Sequence, residues 1–308
     1  MFNLPSPLQK IDHPIAAQFN IELFVKRDDL IHSEISGNKW RKLKFNIEKF
    51  TQKKYDSILT FGGAYSNHIA ATAASGKLLN IPTIGIIRGE ELNENSNKTL
   101  KKAHEDGMTL VFVSRSKYGE RYERFYHEEL RIKFGNTLII NEGGANFHGV
   151  IGTGEILSEI DFSPDYIYSA SGTGTTVAGL LLTSNSTKVI SVPVFKKGGF
   201  IRDEVKDLLT QFQFTDEELT EKMDLLDLNL THHFGGYGKH TAELIDFIND
   251  FYQQTDLKLD QVYTAKMMFA VLDDIKTGRI KTGSKVVALH TGGLQGLSSI
   301  GPLLNFTI

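Results

Sequence analysis

Two lysines, Lys39 and Lys42, stand three positions apart in the run Ser36-Gly37-Asn38-Lys39-Trp40-Arg41-Lys42-Leu43. Gly37 and Asn38 read as a turn entering a helix, which puts Lys39 in the first helical turn and Lys42 on the same face at i+3. The positive end of a helix dipole and a second cation nearby both lower a lysine pKa. Only the neutral amine attacks an aldehyde, so these are the conditions for a lysine that forms a Schiff base. Taken alone, the run fits equally well a solvated basic helix face from Lys39 to Lys49.

A second segment could hold an anion. Ser171-Gly172-Thr173-Gly174-Thr175-Thr176 follows a β-rich run at Tyr166 and precedes a helical pattern over Val177–Thr183. Successive backbone N–H groups at a glycine turn, backed by a helix N-terminus, cradle phosphate, and three threonine hydroxyls add donors. No lysine follows the glycines, so the nucleotide P-loop pattern fails. Val177 stands where a dinucleotide fingerprint needs its third glycine, and Ser191–Phe195 offers no acidic residue for a ribose. What remains is a cup for one phosphate monoester, or a Ser/Thr-capped helix start. A third segment, Gly62-Gly63-Ala64-Tyr65-Ser66-Asn67-His68, follows an apolar strand and precedes a small-residue helix, with Ser66 and Asn67 at the N-cap. A phosphate cup, an activated lysine and a polar Ser-Asn loop together describe a pyridoxal phosphate site.

The elements that must position these groups are marked by glycine. Ser57–Phe61 runs into Gly62-Gly63, and Thr137–Asn141 into Gly143-Gly144. Tyr166–Ser169 precedes Gly172 and Gly174, Lys188–Phe195 precedes Gly198-Gly199, and Lys285–His290 precedes Gly292-Gly293. These runs are continuously apolar, as in strands covered on both faces. Helical patterns lie between them, at Ala70–Leu79, Gly119–Lys133, Gly149–Ile160, Asp203–Phe212, Thr241–Tyr252 and Tyr263–Lys276. The alternation predicts an α/β fold whose ligand lies at the carboxyl ends of the strands, where the glycines fall. The polar stretch Gly89–Lys102 reads as a loop running into a helix and the acidic Thr215–Asp227 as a surface segment, both solvated. The length of 308 residues suits two domains or one large one. A net charge of −3 supplies no bulk positive field for nucleic acid. The chain contains no cysteine, which removes thiolate catalysis and Cys-ligated metal. No apolar run approaches the roughly 18 residues of a membrane span. The expectation is a cytoplasmic protein without membrane or nucleic-acid partner and without a metal.

The chain resembles the 1-aminocyclopropane-1-carboxylate deaminase / D-cysteine desulfhydrase family of pyridoxal phosphate enzymes, of the tryptophan-synthase-β-like fold (fold type II). The marks run along nearly the whole chain. They are Lys26-Arg27-Asp28-Asp29-Leu30, Ser36-Gly37-Asn38-Lys39 with Arg41-Lys42-Leu43, and Gly62-Gly63 with Ser66-Asn67-His68. Next come Glu142-Gly143-Gly144-Ala145-Asn146, the Ser171–Thr176 loop and Gly236-Tyr237-Gly238. Val262-Tyr263-Thr264-Ala265-Lys266 and His290-Thr291-Gly292-Gly293-Leu294 complete the series. The resemblance implies two open, mainly parallel, twisted sheets flanked by helices. The cofactor cleft would lie between a larger domain (1–43 and 155–308) and a smaller inserted α/β domain (44–154), in a homodimer. It implies that Lys39 forms the Schiff base, and that Lys42 with the Ser171, Gly172, Thr173, Gly174 and Thr175 loop holds the phosphate. Asn67 would bond the ring hydroxyl. Ser66 would act as nucleophile or as a carboxylate- and proton-handling group, and Tyr237 and Tyr263 would be the active-site tyrosines. Ser66, Asn67, His68 and Tyr237 would face the substrate, and Thr264 or Thr291 the pyridine nitrogen.

The chain departs from the family pattern at several positions. Ala64-Tyr65 stands where Ile-Gln is frequent, Ile69-Ala70 where an arginine is common, and Ala265 where glycine is frequent. Deaminase-type members resemble Tyr-Glu-Gly-Lys and His-Leu-Gly-Gly in the two late motifs, and desulfhydrase-type members Tyr-Thr-Gly-Lys and His-Thr-Gly-Gly. Thr264 and Thr291 match the second type. A carboxylate beside the ring nitrogen makes a strong electron sink; a hydroxyl makes a weaker one, sufficient when a thiolate leaves from Cβ. The expected reaction is therefore α,β-elimination from D-cysteine, giving pyruvate, ammonia and sulfide. Opening of 1-aminocyclopropane-1-carboxylate to 2-oxobutanoate and ammonia is the alternative, and a non-catalytic pyridoxal phosphate binding protein a remote one.

Overall fold

The computed structural model describes residues 2–35 and 37–307; Ser36, the first residue of the Lys39 motif, lies outside them. The chain divides into two compact units, Met1–Asn38 with Thr153–Ile308, and Lys39–Gly152. The first unit carries a six-stranded sheet in the order β1-β2-β10-β7-β8-β9. Its strands are β1 (Leu8–Ile11), β2 (Glu22–Lys26), β7 (Tyr166–Ser171), β8 (Lys188–Pro193), β9 (Leu226–Leu228) and β10 (Lys285–Leu289). Only the β1–β2 pair is antiparallel. The second unit holds a wholly parallel sheet in the order β5-β4-β3-β6, made of β3 (Ser57–Gly62), β4 (Thr83–Arg88), β5 (Thr109–Val113) and β6 (Thr137–Ile140).

Burial explains the composition of the strands. All six residues of β3 are buried, as are the last five of β7 and of β8. Parallel strands clad by helices on both faces need this continuous apolar character rather than alternation. The core of the first unit gathers Leu23, Val25, Tyr168, Val192, Met267, Val271 and Val286, each 0% exposed. Two smaller clusters, around Phe61 with Ile86 and around Ile69 with Met108, face the sheet of the second unit.

Some elements differ from the sequence reading. The expected helix over Gly119–Lys133 is two helices, Arg115–Gly119 and Arg124–Phe134, and the second starts after Glu123 in extended backbone. Thr215–Asp227 contains a helix, Asp216–Asp224, started by a capping box in which Thr215 and Glu218 satisfy each other's backbone N–H groups. There short-range capping outweighs the polar composition. The Gly89–Lys102 loop runs into a helix as expected, Lys98–Glu105, capped by Asn97. No helix of the described residues is long and apolar enough to cross a membrane.

Candidate active site

In the second unit the site residues lie on the Asn38–Lys53 helix, the turn after β3 and the turn after β6. Gly62 is the last residue of β3, and a Cβ there would clash with Ile69 Cγ1 and meet Ser66 Oγ at 2.7 Å, so close packing requires glycine. Ser66 caps the Asn67–Leu79 helix, its Oγ accepting from the Ile69 N–H at 3.2 Å. Ala64 packs against the Ile69 cluster, its carbonyl accepting from Asn97 Nδ2 at 3.1 Å, while Tyr65 stands 72% exposed beside Ser66.

His68 is buried two residues into this helix. Its Nε2 lies 2.9 Å from Thr60 Oγ1, and that hydroxyl gives its one proton to the Ile140 carbonyl at 2.8 Å. The hydroxyl oxygen can then only accept, so the imidazole proton sits on Nε2 and Nδ1 presents a bare lone pair. Nδ1 is buried without a hydrogen-bond partner. Burial, with Lys39 and Lys42 nearby, pushes the His68 pKa down to about 3, so the ring is neutral at physiological pH.

Lys42 is 5% exposed and forms no ion pair or side-chain hydrogen bond among the described residues. Burial first, and the Lys39 charge second, hold its pKa well below the ordinary lysine value. Its backbone is held by Asn46, whose Nδ2 donates to the Lys42 carbonyl at 2.8 Å; Asn46 also pairs with Asn146 of the β6 turn. Gly144 of that turn lies so close that a Cβ would meet Lys42 Cβ at 2.9 Å and His68 Cε1 at 3.5 Å. Among the described residues Lys42 has no counter-charge and stands near a second cation, which suits an anionic group, whereas the bare Nδ1 of His68 suits a hydrogen-bond donor.

In the first unit the Ser171–Thr176 loop turns from β7 into the Thr175–Thr183 helix. The N-cap Gly174 has φ +66°, and no side chain caps the helix. A Cβ on Gly174 would meet Val205 Cγ2 at 2.9 Å, so close packing and left-handed backbone both require glycine. The uncapped first turn leaves its N–H groups for an anion. Thr173 and Thr175 share a hydroxyl–hydroxyl bond of 2.9 Å. The Ser171 hydroxyl pairs with Ser191 Oγ at 2.6 Å within the sheet, and either oxygen can be the donor.

Two other parts of the first unit meet this loop. A Cβ on Gly172 would lie 3.6 Å from Tyr263 Oη, and the Tyr263 ring stands edge-on to Tyr237 with centroids 6.2 Å apart. Asn38, the residue before Lys39, donates from Nδ2 to Thr176 Oγ1 at 2.8 Å. Gly37 has φ +68°, and a Cβ there would fall 1.8 Å from the Thr291 carbonyl oxygen, so only glycine lets these backbones touch.

The two threonines have different surroundings. Thr264 is fully buried; its hydroxyl donates to Asp260 Oδ1 at 2.8 Å and accepts from the Asp260 N–H at 2.8 Å. It has no proton left for a ring nitrogen, and the reason is structural: Asp260 gathers the N–H groups of Val262, Tyr263 and Thr264 at the helix start. Among the described residues the Thr291 hydroxyl carries no such commitment. Asp260 escaped the sequence reading; its carboxylate accepts from N–H groups two to four positions on, as Asp side chains do in Asx-type turns. Lys266 was noted only as part of a motif; a charged residue between Ala265 and Met267 in an apolar helix is the signal that marks it. No group of three or more His, Asp or Glu able to hold a metal occurs among the described residues.

Residues 2–292 match the model of the pyridoxal-phosphate dependent enzyme family. The chain is 32% identical to a putative 1-aminocyclopropane-1-carboxylate deaminase of Pyrococcus furiosus, over 96% of this chain and 92% of the relative. It is 29% identical to a bifunctional D-cysteine desulfhydrase/1-aminocyclopropane-1-carboxylate deaminase of Arabidopsis thaliana, over 96% of this chain and 78% of that protein. The crystal structure of a deaminase homologue of the same kind superposes with a TM-score of 0.80 at 26% identity, covering 98% of this chain and 95% of the other. The two mainly parallel sheets are those of this fold, and the uncapped turn at Gly174 and the uncompensated Lys42 fit pyridoxal phosphate. The chain belongs to the pyridoxal-phosphate-dependent enzymes, in the 1-aminocyclopropane-1-carboxylate deaminase / D-cysteine desulfhydrase family.

Proposed function

We propose that the enzyme eliminates thiolate from D-cysteine and similar small D-amino acids. The groups for cofactor and substrate would be those of the Lys39–His68 region in one unit and of the Ser171–Thr176 loop in the other. The unit with the six-stranded sheet would be the larger cofactor domain and Lys39–Gly152 the smaller inserted one. The observation that carries this reading is Lys42, a buried lysine with no counter-charge among the described residues.

Bound pyridoxal phosphate supplies the electron-accepting ring that makes a Cα proton of an amino acid acidic. Lys39 holds the cofactor and takes the Cα proton. The Cβ–S bond then breaks, sulfur leaves with the electron pair as thiolate, and the unsaturated amine hydrolyses to pyruvate and ammonia. Lys42 and the first-turn N–H groups after Gly174 neutralise the phosphate. Ser66 and Asn67, at a helix N-terminus, receive the substrate carboxylate and the ring hydroxyl. The Tyr237 and Tyr263 hydroxyls handle protons at the leaving group. Thr291 offers its hydroxyl to the ring nitrogen.

Elimination is favoured over ring opening because no free carboxylate stands at either late motif. Thr264 and Thr291 are uncharged, and both oxygens of Asp260 are already taken by N–H and O–H donors. A hydroxyl cannot stabilise a protonated ring nitrogen as a carboxylate does. Opening of 1-aminocyclopropane-1-carboxylate, the second reading, draws on the names of the Pyrococcus furiosus relative and of the superposed structure. The test is a panel of D-cysteine, L-cysteine, D-serine and the cyclopropane acid, assayed for keto acid, ammonia and sulfide. Fastest release of pyruvate and sulfide from D-cysteine is expected; faster turnover of the cyclopropane acid would overturn the proposal in favour of the second reading.

A further inference from the structure

Lys266 lies three residues after Tyr263, near the start of the Thr264–Lys276 helix, with its side chain wholly removed from solvent. It makes no ion pair among the described residues. Its Nζ donates to the His233 carbonyl at 2.9 Å and to the Gly236 carbonyl at 2.8 Å. Both carbonyls belong to the loop that carries Tyr237. The same two oxygens close the loop on itself: Gly236 N–H donates to the His233 carbonyl at 2.9 Å, and Lys239 N–H to the Gly236 carbonyl at 3.1 Å. Phe234, Gly235, Gly236 and Gly238 all have positive φ, at 46°, 90°, 107° and 67°. Glycines enter such backbone without steric cost but lose the most conformational entropy when held there, so the loop needs an external tie.

We propose that Lys266 is a positioning residue that fixes the His233–Lys239 loop and so sets Tyr237 against Tyr263. Tyr237 is 46% exposed; its ring stacks on Phe195 with centroids 5.5 Å apart at 17° and meets Tyr263 at 75°. Lys266 couples the helix that begins at Tyr263 to the loop of Tyr237, so one side chain governs both tyrosines. An ammonium buried against carbonyls alone costs stability that a methionine of similar length would not. Stability by itself therefore does not account for a lysine here; two donors aimed at two loop carbonyls do. Burial pushes the Lys266 pKa down to about 8, and Asp260 opposes part of that shift. The neutral amine keeps two N–H groups for the two carbonyls, so the tie survives in either charge state.

This inference rests on the reading that Tyr237 and Tyr263 act at the active site, and its test separates the two claims. Lys266→Met, Lys266→Gln, Tyr237→Phe and the Lys266→Met/Tyr237→Phe double variant are prepared as holoenzymes. Hydrogen exchange of residues 233–239 and kcat and KM for D-cysteine are measured on each. Lys266→Met is expected to keep the bound-cofactor absorbance, to speed exchange of that loop selectively, and to lower kcat by about 10- to 100-fold with KM little changed. Lys266→Gln, which retains two N–H donors, should recover part of the loop protection and part of kcat. The double variant should be little worse than Tyr237→Phe alone, since both changes act through one tyrosine. Unaltered loop exchange, or losses that add in the double variant, would overturn the proposal. So would a Lys266→Met chain that fails to fold beside a folded Lys266→Gln whose loop is no better protected than the rest of its unit. If the unaltered enzyme turned over none of the amino acids, the functional reading would fail, while the exchange measurement would still decide the role of Lys266.

Discussion

His68 makes stability depend on acid in a way that follows from its surroundings. An unfolded histidine titrates near 6.5, whereas burial, Lys39 and Lys42 push the folded residue down to about 3. Between these values the unfolded chain binds the proton and the folded chain does not. The stability contribution is whole above pH 6.5 and is lost as pH falls toward 3. At about 1.4 kcal/mol per pH unit, the full loss is about 5 kcal/mol, and at pH 5 it is about 2 kcal/mol. Urea unfolding of cofactor-free protein at intervals from pH 7.5 to 4 measures this directly. In His68→Gln the site cannot titrate, and the acid limb should be shallower by about 2 kcal/mol at pH 5. Histidines elsewhere contribute to both proteins and cancel in the difference. Parallel acid limbs in the two proteins would refute the assignment of His68 as a buried neutral imidazole.

Lys42 should make the cofactor-free protein respond to anions: phosphate at ten times its dissociation constant stabilises it by about 1.4 kcal/mol, read as a rise in Tm, and Lys42→Met loses the response. The lowered Lys42 pKa means that the unfolded chain holds a proton the folded chain sheds, so stability should rise as pH climbs toward 10.5, and Lys42→Met should flatten that rise in pH-dependent urea melts. Gly37→Ala should cost about 3 kcal/mol or more, from left-handed backbone and a Cβ overlapping the Thr291 carbonyl, with loss of cofactor absorbance before loss of folding. Thr264→Val should cost about 1–3 kcal/mol in urea melts through the lost Asp260 bonds yet leave the absorbance maximum of bound cofactor in place, whereas Thr291→Val should shift that maximum.

The parts of the fold that were legible in the sequence are those where one physical requirement dominates. The continuous apolar runs at Ser57, Tyr166, Lys188 and Lys285, each followed by glycine, pointed to covered strands, and each is a strand in a mainly parallel sheet. β4 and β5 carried no glycine cluster of the same kind, and the short edge strand β1 had no apolar run, so none of them stood out. Gly119–Lys133 looked like one helix because periodicity does not register the extended residue Glu123. At the site, Lys39, Ser66 and Gly174 could be found from local chemistry, since a helix start, a cap and a glycine turn are short-range features. Thr264 shows the limit of such reading. Its neighbour in space, Asp260, turns a residue apparently suited to the cofactor into part of a helix cap. Lys266 shows the converse, a residue whose meaning depends on a loop about thirty positions away, which no local pattern could reveal.

The central claim is that Lys39 is the lysine that holds the cofactor. Its most direct test is reduction of the holoenzyme with borohydride, followed by proteolysis and mass spectrometry of the labelled peptide. The reduced pyridoxyl group should be found on Lys39, and Lys39→Ala should carry none after reduction and dialysis. A pyridoxyl label on Lys42, Lys266 or any other lysine of the unaltered protein would contradict the account.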